Sequence, residues 1–253
     1  MEELNQKKAQ LLNYLYHDLS DHWWSTGMRL TAHAILKTHI TEGHILEVGC
    51  GSGTFANELS STNDLQSTIG IDINKNGLEH GKRFTSLQGK LAQGNFHNLP
   101  FATETLSLTI GLDAYDQTSV KLQHALAESH RTLQKNGLIL VRVSAHPWLM
   151  GQHDISFGTG KRYTKHTICS NLVNAGFTIE RCSYANMFMF FPAILMRIAI
   201  NLGITSVTNQ FSTHKAINYL LTKVLQIEAF FLTFTNLPTG LSIYVLARKK
   251  SEK

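Results

Sequence analysis

The sequence predicts an α/β fold built around a largely parallel β-sheet. Short apolar segments alternate with helical segments over residues 45–184, as in chains whose parallel strands are joined by crossover helices. The first apolar segment runs into a glycine-rich turn, and the second ends on a carboxylate, Asp72. A turn followed by a helix, with an acidic residue about 20 positions later, is typical of sheets that bind nucleotide-like ligands at their carboxyl edge.

Each element is justified by its local pattern. Apolar residues at helical spacing predict a helix over 4–20 and a second one that ends at His39, before the first strand. The elements then follow in the order strand 45–48, helix 54–60, strand 67–72, helix 75–87, strand 90–94, strand 106–112, helix 120–133, strand 138–143, helix 164–175, strand 177–184 and strand 241–247. Gly137 follows one of these helices, where glycine suits a left-handed cap.

The segment over 185–240 is longer than the link that a minimal sheet needs between its last two strands. Its first half is apolar but is interrupted by Pro192 and Arg197, which disfavours a membrane-spanning helix. Its second half has the pattern of an amphipathic helix, with Lys223 and Glu228 on the polar side. Three interpretations stay open: helices packed on the core, a channel for an apolar substrate, and an interfacial contact with a membrane.

Composition limits the classes of function. The formal net charge is +5, and no cluster of Lys and Arg is interleaved with aromatic residues, so no nucleic-acid partner is expected. The cysteines, Cys50, Cys169 and Cys182, are odd in number and form no C-x-x-C motif. The 13 histidines show no metal-ligand spacing, so no metal site is predicted. The beginning of the sequence has no apolar signal core, and a cytoplasmic location is expected.

The glycine-rich turn narrows the choice of cofactor. Gly49, Gly51 and Gly53 alternate with single residues, whereas a dinucleotide-binding turn has a third glycine where Thr54 stands. A Gly-Lys-Ser/Thr sequence is also missing, which excludes a phosphate-binding P-loop. With Glu47 just before the glycines, the block resembles motif I of the class I S-adenosylmethionine-dependent methyltransferases.

Three further blocks resemble that family in the same order along the chain. Asp72 resembles the acid after the second strand. Residues 94–101 read G-N-F-H-N-L-P-F, where the family commonly has G-D-a-x-x-L-P-F. Residues 131–138 read R-T-L-Q-K-N-G-L, where the family has R-x-L-K-P-G-G-x. The resemblance implies a Rossmann-like doubly wound seven-stranded sheet with an antiparallel last strand, N-terminal cap helices and a helical insertion before the last strand.

The same resemblance implies one class I methyltransferase domain over residues 1–253. The expected parts are N-terminal cap helices over 1–40, a cofactor-binding core over 41–184, the insertion over 185–240, and the last strand and tail over 241–253. Two shorter segments, 22–29 and 148–164, resemble those of a bacterial subgroup of small-molecule methyltransferases.

The resemblance also gives each matched residue a role in binding S-adenosyl-L-methionine, alongside the glycine turn. Asp72 would accept hydrogen bonds from the ribose hydroxyls. Asn95 stands where the family usually has an acid, and its side-chain carbonyl can still accept a hydrogen bond from the adenine amino group. Phe96 and Ile73 would lie on the two faces of the base. Leu112 would offer backbone groups near the methionine end.

The catalytic residues are harder to predict. Residues 113–117 read D-A-Y-D-Q where the family often has D-x-x-E-H, so the usual histidine is missing. A base is needed only if the methyl acceptor must lose a proton. The loop after the fifth strand lies at the carboxyl edge of the sheet, and it supplies His153, Asp154 and Tyr163 as catalytic candidates, with His146 beside them. The alternative is a loop histidine and an aspartate that only supports a turn.

We therefore predict methyl transfer from S-adenosyl-L-methionine to an unidentified small acceptor, apolar or linked to a lipid or glycan, by in-line displacement. One alternative is a regulatory or non-methylating protein that binds the same cofactor on the same fold. Another is a nicotinamide-dependent oxidoreductase, which the glycine spacing disfavours. Peripheral contact with a membrane through 185–235 stays open, and the oligomeric state is not predicted.

Overall fold

The computed structural model describes residues 21–39, 42–62, 66–84, 90–202, 204 and 214–250. The helix predicted over 4–20 lies outside the described residues. The strands are β1 (Gly43–Val48), β2 (Gln66–Asp72), β3 (Leu91–Gln93), β4 (Leu106–Leu112), β5 (Leu133–Ser144), β6 (Phe177–Ala185) and β7 (Ser242–Lys249). The helices are α1 (Trp23–Leu36), α2 (Thr54–Thr62), α3 (Lys75–Phe84), α4 (Leu122–Thr132), α5 (Gln152–Ser156), α6 (Lys165–Asn174), α7 (Phe190–Asn201) and α8 (Lys215–Phe234).

The seven strands form one sheet in the order β3-β2-β1-β4-β5-β7-β6. Strands β1 to β5 pair in parallel, whereas β7 runs antiparallel to both β5 and β6. The strand order reverses next to β1, so the carboxyl ends of β1 and β4 border the crevice where such sheets bind ligands. The predicted fold class, including the antiparallel last strand and the helical insertion before it, is confirmed.

Helices cover the sheet on both faces, which explains why the central strands are almost continuously apolar. One buried cluster includes Tyr115, Phe177 and Val141, and a second, on the other face, includes Leu140 and Leu232. Because adjacent residues of β5 belong to different clusters, this strand is covered by side chains on both sides.

Helix α1 packs against α8, and a glycine makes their close approach possible. A Cβ atom at Gly27 would lie 2.2 Å from Leu225 Cδ1. The Trp23 amide donates a hydrogen bond to Asn218 Oδ1 over 2.7 Å, and the Tyr244 hydroxyl of β7 donates one to the Met28 carbonyl over 2.9 Å. The start of α8 is therefore held against α1, and α1 is held against the sheet.

The prediction that Glu228 lies on the polar side of its helix is wrong. Its side chain is buried, and its carboxylate accepts hydrogen bonds from the backbone amides of Asn186 and, over 3.1 Å, Phe188. These amides belong to the turn between β6 and α7, where they precede the hydrogen-bonded turns of the helix. Burial raises the pKa of Glu228, and the backbone hydrogen bonds oppose that shift. Glu228 therefore joins α8 to the start of α7.

The cap predicted at Gly137 is also wrong. Asn136 has the left-handed conformation, with φ of 63°, and β5 begins at Leu133 directly after α4. Asparagine tolerates this region because its short polar side chain bonds locally. Gly137 instead avoids a steric clash, because a Cβ atom there would lie 2.9 Å from the Gln134 carbonyl oxygen.

We expect Gly27→Ala to lower the free energy of unfolding by about 1–3 kcal/mol, although alanine favours helix formation. The added methyl group overlaps the Leu225 side chain and forces α1 and α8 apart. Chemical denaturation measures the change, with Ser25→Ala in the same helix as the control. A Gly27→Ala protein that is as stable as the parent would contradict the close packing.

Candidate functional site

The turn between β1 and α2 depends on three glycines with positive φ. Gly49, Gly51 and Gly53 have φ of 66°, 56° and 71°, a region that other residues rarely adopt. Space is limiting as well: a Cβ at Gly49 would lie 2.8 Å from Ala114 Cβ, and one at Gly53 would lie 2.6 Å from Leu91 Cδ2. These positions let the chain reverse tightly at the carboxyl edge of the sheet.

Asp72 lies at the end of β2, directly beside this turn. Its Oδ2 atom accepts a hydrogen bond of 2.8 Å from the Gly51 amide, and its Oδ1 atom accepts one of 2.7 Å from the Asn74 amide. Burial raises the pKa of Asp72, and the backbone hydrogen bonds oppose that shift. The structure therefore brings the predicted ribose-binding carboxylate and the predicted glycine turn together.

Glu47 lies below the turn and is buried. Its Oε2 atom accepts a hydrogen bond of 2.9 Å from the Ala56 amide in the first turn of α2. Burial raises the pKa of Glu47 to about 8, although the Ala56 amide and the nearby Arg29 lower it. With that pKa the Glu47 side chain is mostly protonated at pH 7, and its oxygen still accepts the hydrogen bond from the Ala56 amide.

The residues predicted to contact adenine lie at the carboxyl ends of the two neighbouring strands. Ile73 follows β2 and is 67% exposed, and Asn95 and Phe96 follow β3. Phe96 is half-buried, with its ring edge-on to Tyr115 at a centroid distance of 5.6 Å. The Asn95 Oδ1 atom accepts a hydrogen bond of 2.9 Å from the His97 amide, so part of its acceptor capacity supports its own turn. Contact with adenine stays a prediction.

An ion pair that the sequence analysis missed lies where the methionine end is predicted. Leu112 ends β4 opposite Arg142 of β5, and the Arg142 guanidinium forms an ion pair with Asp113. Arg142 is 3% exposed, donates a hydrogen bond of 2.6 Å to Ser242 Oγ, and lies 5.6 Å from the centre of the Trp24 ring. Burial lowers the pKa of Arg142 to about 10. The sequence did contain a signal for this ion pair: Arg142 is a single arginine within an apolar strand, and a buried arginine needs a partner.

Asp116 stands where the family often has glutamate, and it supports the loops around the site. Its Oδ2 atom accepts a hydrogen bond of 2.8 Å from the Ser144 amide, and its carbonyl accepts one of 2.7 Å from the Gly160 amide. Tyr163, a predicted catalytic residue, is buried, and burial together with Asp116 raises its pKa. Its phenol is therefore neutral at physiological pH.

The other two catalytic candidates have different surroundings. Asp154 is buried, and its oxygens accept hydrogen bonds of 2.9 Å from Arg162 Nε and from the Gly151 amide. Arg162 also donates a hydrogen bond of 2.8 Å to the Ala145 carbonyl, at the end of β5. The ring centroid of His153 lies 4.5 Å from that of Phe157, and desolvation lowers the pKa of His153. Their catalytic roles stay predictions, but Asp154 clearly holds the loop in place.

His146 lies closest to the end of β5. It has φ of 60°, and its ring stacks on Tyr184 at a centroid distance of 5.2 Å with 4° between the planes. The Phe190 ring of α7 lies 5.0 Å away on a tilted plane. Burial lowers the pKa of His146, which favours the neutral imidazole near pH 7. The structure thus places a neutral, half-buried histidine between the strand ends and the insertion.

Comparison with known proteins agrees with this geometry. Residues 45–137, which include the glycine turn and Asp72, match the model of a family described as a methyltransferase domain. The phthiotriol/phenolphthiotriol dimycocerosates methyltransferase 1 of Mycobacterium ulcerans is 32% identical over 97 residues, which cover 38% of this chain and 35% of that protein. The chain thus matches about a third of the length of this relative.

Two solved structures show the same fold. A chain in the complex between the Trm112 methyltransferase activator of Haloferax volcanii and a putative methyltransferase has a TM-score of 0.66 and 17% identity, over 97% of this chain and 98% of that one. The geranyl diphosphate C-methyltransferase of Streptomyces coelicolor, in complex with Mg²⁺, geranyl diphosphate and S-adenosyl-L-homocysteine, has a TM-score of 0.58 and 14% identity, over 87% and 77%.

We expect Asp154→Ala to lower the free energy of unfolding by about 3 kcal/mol, because it leaves Arg162 without its buried partner. Chemical denaturation measures the change. Gln152→Ala, an exposed substitution in the same short helix, is the control and is expected to stay within about 0.5 kcal/mol. An Asp154→Ala protein of unchanged stability would contradict a structural role and favour a purely catalytic one.

Proposed function

We propose that the protein transfers a methyl group from S-adenosyl-L-methionine to a small acceptor, because its residues 45–137 match the model of a methyltransferase domain. S-adenosyl-L-methionine is the cofactor of that family. The observation that carries the proposal is the contact between the Gly51 amide and the Asp72 carboxylate at the edge of β1 and β2. The two adjacent hydroxyls of a ribose could donate hydrogen bonds to the two oxygens of this carboxylate.

The residues fit the cofactor and its reaction. When bound, S-adenosyl-L-methionine supplies a methyl group on a positively charged sulfur. The glycine turn, Asp72 and Ile73 would hold the adenosine part, with Asn95 and Phe96 at the base, and Leu112 would lie at the methionine part. The protein then has to align the acceptor behind the methyl group and to exclude water. Alignment of the two reactants alone can accelerate a reaction strongly.

The need for a base depends on the acceptor. An amine or hydroxyl has to lose a proton, and the groups near the strand ends that could accept it are neutral imidazoles, such as His153 and His146. Asp154 and Tyr163 would act by holding the loop and shaping the acceptor side. An acceptor that is already nucleophilic needs none of these groups as a base.

We further propose that the acceptor is apolar or amphipathic, with a lipid or glycan link left open. Two observations support this. The insertion carries many exposed apolar side chains beside the site, and the matched mycobacterial relative is named for phthiotriol dimycocerosates. A cytoplasmic location and one domain over 1–253 belong to the same proposal. The alternative, cofactor binding without methyl transfer, predicts that no S-adenosylhomocysteine is released.

Calorimetric titration tests cofactor binding. We expect saturable binding of S-adenosylmethionine and S-adenosylhomocysteine, no comparable binding of NAD, and at least a ~10-fold weaker affinity in Asp72→Ala, since the charged hydrogen bonds to ribose are lost. Glu79→Gln, which changes an exposed carboxylate on the next helix, is the matched control. Preference for NAD, or unchanged affinity in Asp72→Ala, would contradict the proposed site.

A further inference from the structure

The insertion exposes an unusual amount of apolar surface. Of the large apolar side chains that the described residues expose, most belong to the stretch from Phe188 to Phe234. Leu195 is 67% exposed and Phe234 is 75% exposed. Single exposed apolar residues are ordinary, but a concentration of this kind marks a surface that contacts a protein, a membrane or a ligand.

Helix α7, together with Leu202 directly after it, presents a stripe of four exposed apolar residues, and Met196 is exposed away from this stripe. Phe191, Leu195, Ile198 and Leu202 follow one another at intervals of four, three and four residues, so they project from the same side. Away from this stripe, α7 is hydrogen-bonded to the loop that follows β5. Arg197 donates a hydrogen bond of 2.8 Å to the Leu149 carbonyl and also contacts the Met150 carbonyl. The helix is thus fixed beside the loop that follows β5, with its apolar stripe outward.

Helix α8 has two apolar faces. One face is buried against α1 and the sheet, through residues such as Leu225 and Leu232. The second face is exposed and recurs at intervals of three, seven, four and three residues: Ile217, Leu220, Ile227, Phe231 and Phe234. A surface helix needs only one apolar face for its own fold, so the second face requires another explanation.

The charges of the insertion favour one kind of contact. Residues 185–240 contain three cations, Arg197, Lys215 and Lys223, and a single carboxylate, Glu228. Glu228 is buried in the turn before α7, so every exposed formal charge of the segment is positive. Lys215 and Lys223 are both exposed on α8, the helix that carries the second stripe. Apolar stripes flanked by lysine, without exposed acid, are complementary to an anionic lipid surface.

We propose that α7 and α8 dock the protein on an anionic membrane surface. The exposed stripes lie among the lipid headgroups and upper acyl chains, and Lys215 and Lys223 contact lipid phosphates. The helices lie on the bilayer and do not cross it: within the described ranges, no helix is long and apolar enough to span a membrane. Glu228 supports this arrangement because it joins α8 to the turn that begins α7.

The docked orientation also bears on the reaction, and this step alone rests on the proposed methyl transfer. Phe190, at the start of α7, packs against His146 at the end of β5. An amphipathic acceptor that leaves the bilayer beside α7 would therefore reach the strand ends without passing through water. Its polar group would meet the polar side chains at the edge of the sheet, and its apolar part would stay against the insertion.

Co-sedimentation of the full chain with vesicles tests the docking. We expect binding to vesicles of phosphatidylcholine mixed with phosphatidylglycerol, and at least ~10-fold weaker binding to phosphatidylcholine alone. The double substitution Leu195→Ser and Phe234→Ser should reduce binding to the mixed vesicles by ~10-fold or more, because it removes apolar contacts from both helices. The pair Lys215→Glu and Lys223→Glu should abolish the preference for anionic vesicles. Val173→Ser, an exposed apolar residue of α6, is the matched control.

Three results would overturn the proposal. They are binding to neither type of vesicle, equal binding to both, or unchanged binding by the Leu195→Ser and Phe234→Ser protein. Sedimentation velocity adds a further check: a dimer that the same double substitution dissociates would show that a second copy covers the stripes instead. The vesicle assay contains no cofactor, so its outcome is independent of whether S-adenosylmethionine binds.

Discussion

The site depends on two buried acidic side chains that hold one glycine turn. Glu47 binds the amide of Ala56 at the start of α2, and Asp72 binds the amide of Gly51 within the turn. Burying a polar side chain costs free energy unless it is hydrogen-bonded, and these two backbone amides offset part of that cost. The two contacts fix the chain on both sides of the glycines, which adopt positive φ.

A second layer of buried charges fixes the loops that face this turn. Asp113 binds Arg142 after β4, Asp116 binds the Ser144 amide, and Asp154 binds Arg162 after β5. Each of these side chains uses its charge to hold backbone or a charged partner, so the rim of the crevice is well defined before any ligand arrives. This preorganisation is what alignment of an acceptor with a methyl donor requires.

Most of the sheet could be predicted from the sequence because its signals are local. Apolar runs, turn residues and the glycine spacing identify β1, β2 and β4 within one or two residues, and the alternation with helices implies parallel strands. The resemblance to the methyltransferase family then supplied the antiparallel last strand. The prediction of the helix over 120–133 erred at its end because β5 starts at Leu133, before the predicted break at Gly137.

The charged residues of the site could not be placed in the same way. Glu228 fits the polar side of an amphipathic helix, and only the turn before α7, 40 residues away along the chain, provides the amides that bury it. Arg142 likewise depends on Asp113, which follows β4, and on Ser242 of β7. Whether a charged side chain is buried depends on partners that are distant in sequence. The spacing of apolar residues along one helix or strand does not reveal those partners.

We propose above all that Asp72 and the glycine turn form the adenosine site. A crystal structure of the protein with S-adenosylhomocysteine tests it most directly. We expect a ribose hydroxyl within hydrogen-bond distance of an Asp72 oxygen, the adenine ring between Ile73 and Phe96, and the methionine part beside Leu112. A ligand bound elsewhere, or a ribose that makes no contact with Asp72, would contradict it.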